Sequence, residues 1–229
     1  MPTSLEAIGA DPTRFYLGPA RSHRTERDGI LTVERPAPSR PDVWTYDPLD
    51  TRPGSADMDN DNDVVHDANR ELHGQGLAFM TPVFSRASEI SGFPTAMLWL
   101  ELDVPDTDFR ITLEEITPAG HAILLSDTQL RARYRESLRE ATLVQPGAVL
   151  PYHFRQFRFM SRRVAKGSRV RLTIESPNSI GIQKNYNSGG VVAQESNKDA
   201  RTAHISLYHE VDRWSVLELP ITTSTPPRR

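Results

Sequence analysis

The chain has 229 residues, 37% hydrophobic and 25% charged, with a net charge of -3; this is a somewhat polar globular composition, long enough to bury a sizeable core unaided. So small a net charge argues against a general affinity for nucleic acid or for an anionic membrane. With no cysteine, a disulfide framework, a thiolate metal site and a cysteine nucleophile are all excluded.

Met1 to Ala10 holds no basic stretch leading into an apolar one, so it does not read as a secretory signal. No apolar run reaches the roughly 20 residues that cross a bilayer. The expectation is a soluble, cytoplasmic product, with the compartment left open if the chain is cut from a longer protein.

Phe15-Tyr16-Leu17, ended by Gly18-Pro19, and Gly29 to Val33 form two short apolar stretches. Three prolines between Arg35 and Pro41 remove ladder donors, so this segment is expected to run extended over a surface. Trp44 and Tyr46 fall on one side of the chain before the turn-forming Asp47-Pro48. Together these residues read as an extended N-terminal arm. Residues 52–75 form a long polar loop with Asp57, Asp59, Asp61, Asp63 and Asp67 in it.

Gly76 to Met80 resumes an apolar run, and Glu89 to Phe93 is a short strand before Pro94. Thr95 to Leu102 is apolar and central. Phe109 to Ile116 alternates, the turn Thr117-Pro118-Ala119-Gly120 follows, and Ala122 to Leu125 pairs back as a hairpin. The stretch Ser126–Ser137 alternates throughout, with Leu130, Ala132 and Tyr134 on one side and Arg131, Arg133 and Arg135 on the other. That period of two predicts a half-buried strand.

After a loop closed by Pro146-Gly147, Val149 to Phe159 carries spaced aromatics, and Arg169 to Glu175 alternates again. Pro177 to Lys198, rich in Asn, Ser and Gly, is a second long loop. His204 to His209 and Val216 to Leu219 supply the last strands. About a dozen strands and no long amphipathic helix predict an all-β sandwich or barrel. A single domain over 1–229 is expected, with residues 1–13 and 222–229 as flexible ends.

Several blocks occur in a recognisable order: Asp103-Val104-Pro105-Asp106-Thr107-Asp108-Phe109, Leu125-Ser126-Asp127, Leu130 to Ser137, Lys166 to Ile174, Asn185-Tyr186-Asn187-Ser188-Gly189-Gly190, and His204 to His209. Together they resemble the C-terminal domain of the X-Pro dipeptidyl-peptidase family, which includes cocaine esterase, α-amino-acid ester hydrolases and glutaryl acylases. The likeness runs from about Phe15 to Ile221. It implies a jelly-roll β-sandwich of the galactose-binding-like kind, packed beside a separate α/β-hydrolase domain that carries the catalytic serine, helping to shape the substrate cleft and contributing to oligomer contacts.

The nucleophile elbow Gly-x-Ser-x-Gly is absent. The nearest string, Asn187-Ser188-Gly189-Gly190, lacks the leading glycine and the strand-to-helix turn that presents the hydroxyl. No catalytic, cofactor-binding or metal-binding residue is assigned. A set such as His121, Ser126 and Asp127 is not taken as a triad, because triads are defined by geometry and roles.

The acidic run Asp57 to Asp63 invites comparison with a calcium loop and fails it. Starting at Asp57 puts Asn62 where glycine is needed and Ala68 where the bidentate Glu belongs, and starting at Asp59 puts Arg70 there. His66 and His73, and His204 and His209, have no third ligand nearby. On a strand, the odd spacing of the latter pair sets them on opposite faces.

Arg131, Arg133, Arg135 and Arg139 read as a paired sheet face, with Asp127, Glu136 and Glu140 as available partners. Trp44, Trp99, Tyr152, Phe154 and Trp214 read as core or domain-contact residues rather than a sugar platform. The expected function is therefore a non-catalytic accessory domain of a serine hydrolase, without cofactors. A stand-alone sandwich binding carbohydrate or calcium is the alternative.

Overall fold

The computed structural model describes residues 12–19, 28–51, 65–68, 72, 74–178 and 181–222. Its strands are β1 (Thr13–Gly18), β2 (Asp28–Thr32), β3 (Ser39–Tyr46), β4 (Val65–Asp67), β5 (Gly76–Met80), β6 (Ser88–Gly92), β7 (Thr95–Leu102) and β8 (Asp108–Ile116). They continue as β9 (His121–Arg131), β10 (Val149–Phe154), β11 (Met160–Val164), β12 (Arg169–Glu175), β13 (Ala203–Glu210), β14 (Arg213–Trp214), β15 (Val216–Leu219) and β16 (Ile221–Thr222). The helical pieces among the described residues are three-residue 3-10 turns. The domain is all-β, as its alternating sequence predicts. No helix among the described residues is long and apolar enough to cross a membrane.

Thirteen strands share one sheet, ordered β14-β13-β7-β15-β1-β2-β5-β12-β8-β9-β4, with β10 also paired to β7 and β3 to β13. A second sheet of three strands runs β11-β6-β16. Among the described residues the large sheet is mixed through one junction, where β2 lies parallel to β5, and the small sheet is antiparallel.

The core follows from the alternation. In β7, Ala96, Leu98, Leu100 and Leu102 are buried while Thr95, Met97, Trp99 and Glu101 point outward. Phe109 of β8 sits at the centre of an aromatic cluster, edge-on to Trp44 at 6.4 Å, Tyr152 at 5.5 Å and Phe154 at 6.4 Å. Ile90, Met160 and Val164 of the small sheet join the same apolar cluster.

The N-terminal residues do more than wrap. β1, β2 and β3 are integral to the large sheet, because Phe15, Leu17, Leu31, Trp44 and Tyr46 are core residues. The proline-rich segment becomes a strand at Ser39 and keeps Pro41 within it; the ladder to β13 shifts register there, between Leu207 and His209. A missing N–H is tolerated at such an irregularity.

Three further expectations are corrected. The strand through Ser126 ends at Arg131, and Ala132–Tyr134 is a 3-10 turn. The strand from Val149 stops at Phe154, short of Phe159. A short strand, β4, lies inside the long polar loop. The acidic run Asp57 to Asp63 and His73 lie outside the described residues.

Candidate functional site

The last rung of the β8–β9 ladder joins Asp108 to Arg131. Beyond it, the chain's donors are captured by the turn that precedes β8. The Ala132 N–H donates to the Thr107 carbonyl at 2.8 Å, and the Arg133 N–H donates to Asp106 Oδ1 at 2.8 Å. With its backbone groups satisfied in this way, the chain leaves the sheet despite its continuing alternation.

The same two aspartates hold the arginine side chains. Arg131 grips Asp108 bidentately, Nε to Oδ1 at 2.8 Å and Nη2 to Oδ2 at 2.9 Å. Arg133 Nε donates to Asp106 Oδ2 at 2.8 Å. Between the pairs, the Asn185 amide donates to both carboxylates, at 2.7 Å to Asp106 and 2.9 Å to Asp108. Asn185 Oδ1 accepts the Asn187 N–H at 2.9 Å, which fixes Asn187 at its positive φ of 65°.

Burial pushes the Asp106 carboxyl up, against the opposing pull of Asn185 and Arg133. The hydrogen bond to Asp108 raises Arg131 further, which keeps it charged. Two negative and two positive groups thus cancel in a largely dry clasp. Arg135, although nearly buried, donates to the Thr142 carbonyl at 2.6 Å and pairs with Glu136 at 2.9 Å. The arginines were expected to pair; the aspartates that hold Arg131 and Arg133 are the first residue of β8 and a residue of the turn before it.

Two concave surfaces flank this clasp and share Gln129, Leu130 and Tyr134. One, of about 510 Å³, lies over the end of β10 and is lined also by Arg135, Glu136, Leu138, Pro151, His153, Arg155 and Gln156. The other, of about 570 Å³, reaches Arg131 and Gln183. Burial, then the nearby Arg155 charge, lower the His153 pKa.

On the outer face of the large sheet two rows carry mainly apolar and aromatic side chains, half-buried except for the exposed His153 and the buried Val216. Pro151 pairs with Trp99, and Tyr208 lies one step past the Leu207–Leu100 rung, beside Trp99. In the next row His153 pairs with Met97, Met97 with Val216, and Val216 with Tyr16. Trp214 packs edge-on against Tyr16 at 6.1 Å, and the Arg35 guanidinium stands 5.6 Å above that ring. Tyr208 hydrogen-bonds Glu101, and this bond with burial pushes its pKa up to about 12. Of the five aromatics singled out in the sequence, Trp44, Tyr152 and Phe154 are core, whereas Trp99 and Trp214 lie on or beside this face.

The family of X-Pro dipeptidyl-peptidase C-terminal non-catalytic domains matches residues 3–217. The chain belongs to this family. It is 29% identical over 214 residues to cocaine esterase of Rhodococcus sp. (strain MB1 Bresler), covering 91% of this chain and 37% of the esterase.

Among solved structures it resembles an alpha-amino acid ester hydrolase, with a TM-score of 0.78 and 20% identity over 92% of this chain and 36% of that one. It also resembles an aminopeptidase from a marine sediment Thaumarchaeota archaeon, with a TM-score of 0.75 and 19% identity over 91% and 37% of the two chains. The chain therefore spans little more than a third of the length of these relatives.

The blocks that carry the family likeness meet in the clasp: Asp106 and Asp108, Arg131 and Arg133, and Asn185 come from three of them. The other sequence candidates are placed apart from it. His121 opens β9 on its exposed side, Ser126 donates to the Arg158 carbonyl at 2.9 Å, and Asp127 faces Arg110 and Arg158. Ser188 hydrogen-bonds Glu195 within the second long loop. His204 is exposed and paired with Asp103, while His209 is fully buried between Asp42 and the Leu17 carbonyl, so the two do lie on opposite faces. His66 lies in β4.

Gln129, His153, Arg155 and Gln156 were not singled out in the sequence. They read there as ordinary polar positions of two strands, and only the fold brings them around one cleft.

Proposed function

We propose that this domain packs against the α/β-hydrolase portion of a serine hydrolase through the outer face of β10, β7, β13, β15 and β1, and borders that enzyme's substrate cleft. The observation carrying this reading is the composition of that face. Antiparallel sheets commonly turn a polar face to water; this one sets Pro151, Trp99, Tyr208, Met97, Val216 and Tyr16 in adjoining rows. Val216 is already buried and the other five are half-buried; partly exposed apolar rows of this extent suit a partner.

The relatives' greater length supports a partner of this kind, and their printed names, an esterase, an amino acid ester hydrolase and an aminopeptidase, support ester or amide bonds as the substrate class. We read residues 1–229 as one unit, a jelly-roll sandwich of the galactose-binding-like kind. The core cluster that runs, among the described residues, from Phe15 to Leu219 supports this.

The test begins with the reading frame that adjoins this chain's coding sequence, from which the hydrolase portion is produced separately. Mixed with it, this chain should sediment as a complex and the Trp99→Asp/Tyr16→Asp variant should not. An undiminished complex with that variant would refute the docking face. Turnover of p-nitrophenyl esters or of Ala-Pro-anilide by this chain alone would refute its non-catalytic role.

A further inference from the structure

The cleft over the end of β10 holds a charge that its own walls do not balance. Arg135 and Glu136 cancel each other at 2.9 Å. Arg155, exposed one residue past β10, has no carboxylate partner among the described residues. His153, two residues back, lines the same cleft; burial first, and then this charge, lower its pKa. The other polar walls, Thr128, Gln129, Tyr134, Ser137 and Gln156, are neutral.

We propose that this cleft binds the carboxylate of a short peptide, with the Arg155 guanidinium as its counter-ion and Gln129, Gln156 and Tyr134 as hydrogen-bonding walls. A guanidinium meets a carboxylate through two parallel N–H bonds. A primary amide offers both a donor and an acceptor, which suits the peptide group adjoining the carboxylate. Leu138 and Pro151 supply apolar wall, and about 510 Å³ is within the usual size of a small-molecule site. One unmatched cation suits a monoanion; a phosphate dianion would call for a second. The site stands on the cleft alone and does not depend on the docking face. Even so, Pro151 and His153 belong to both, which places the bound carboxylate at the edge of that face.

The experiment is an amide-resolved NMR titration of this chain with three probes: acetyl-Ala-Ala acid, its C-terminal amide, and inorganic phosphate. The acid should cause saturable shifts confined to residues 128–138 and 151–156, with the amide about tenfold weaker or more. Arg155→Gln, an exposed change, should leave the rest of the spectrum in place and weaken the acid by about fivefold or more. The His153 ring should titrate at higher pH when the acid is bound, because a nearby negative charge favours imidazolium.

Shifts that do not saturate, equal binding of acid and amide, or an unaltered affinity in Arg155→Gln would each overturn the site. Phosphate binding as tight as the acid would overturn the assignment to a carboxylate.

Discussion

Asp106 holds Arg133 twice, accepting the backbone N–H on one carboxylate oxygen and the guanidinium Nε on the other, both at 2.8 Å. One side chain thus ends a strand and neutralises the arginine that follows it. Asp106 is fully buried and the Arg133 side chain is 12% exposed, so removing the acid leaves a charge without its partner in a dry place. Asp106→Ala, which takes away the acceptor of the Arg133 N–H, the Arg133 guanidinium and the Asn185 amide together, should lose about 3–5 kcal/mol of unfolding free energy, read from urea denaturation. Burial is the largest influence on Asp106, so the pair is costly to desolvate as well as costly to break. The double variant Asp106→Asn/Arg133→Met, which removes both charges and keeps a side-chain oxygen for the backbone N–H of residue 133, should accordingly recover much of the loss. A double variant no better than the single would show that the pair itself stabilises the domain.

Stability toward acid should depend on Glu115 and Asp106 in opposite directions. Burial alone would push Glu115 up; Ser168 at 2.8 Å, the Ala165 N–H at 3.1 Å and Arg162 at 2.8 Å outweigh it and hold the carboxyl below its ordinary 4.5. Its contribution is therefore complete above about pH 4.5 and is lost as pH falls through the folded value. Glu218, lowered chiefly by Arg14, acts in the same direction. Asp106 is raised from its ordinary 3.8, so its ionisation costs stability as pH climbs through that interval. Denaturation midpoints between pH 2.5 and 7 should give a shallower acid limb for Glu115→Gln and a steeper one for Asp106→Asn. At neutral pH, Glu115→Gln should cost about 1–3 kcal/mol, because the Ala165 N–H and Arg162 lose a charged acceptor.

These two acids mark the limit of what sequence alone conveys here. Strands such as β7 and β12 were legible because their side chains alternate where the ladder continues, and β7 keeps the expected bounds. In β12 the polar face is covered as well: Arg171 is buried against Glu114 at 2.8 Å, which alternation does not distinguish from a wet face. The pattern at Leu130 to Arg135 persists past the strand end, since the groups that end it, Thr107 and Asp106, lie more than 20 residues upstream. The clasp was legible as residue blocks but not as a contact. The cleft was not legible at all, because His153 and Arg155 reach Gln129 and Tyr134 only through the fold.

Gly29 should be irreplaceable at the parallel junction of β2 with β5. A Cβ there would stand 2.2 Å from a ring carbon of the buried Phe79 and 2.8 Å from the Gly18 carbonyl. Phe79 pairs with Gly29 across the β2–β5 contact, so the ring cannot retreat without disturbing that rung. Gly29→Ala should cost at least the about 1–3 kcal/mol typical of overpacking. Combining it with Phe79→Leu should restore part of the loss, because the clashing ring is gone. Thermal melts of the two variants check this; a single variant as stable as the parent would mean that β2 is not held against β5 in solution.

Two phenylalanines in similar aromatic company should respond very differently to truncation. Phe109 is fully buried and touches Trp44, Tyr152 and Phe154. Phe93 packs on Phe159 at 5.3 Å, yet the two residues remain 56% and 41% exposed. Phe109→Ala removes buried area and opens a cavity among rings that cannot collapse into it, at about 3–5 kcal/mol. Phe93→Ala forfeits one partly wet aromatic contact, at about 0.5–1.5 kcal/mol. Urea unfolding of both variants under identical conditions gives the comparison. Equal losses would mean that Phe93 is covered in solution, and would draw the small sheet into the domain's contact surface.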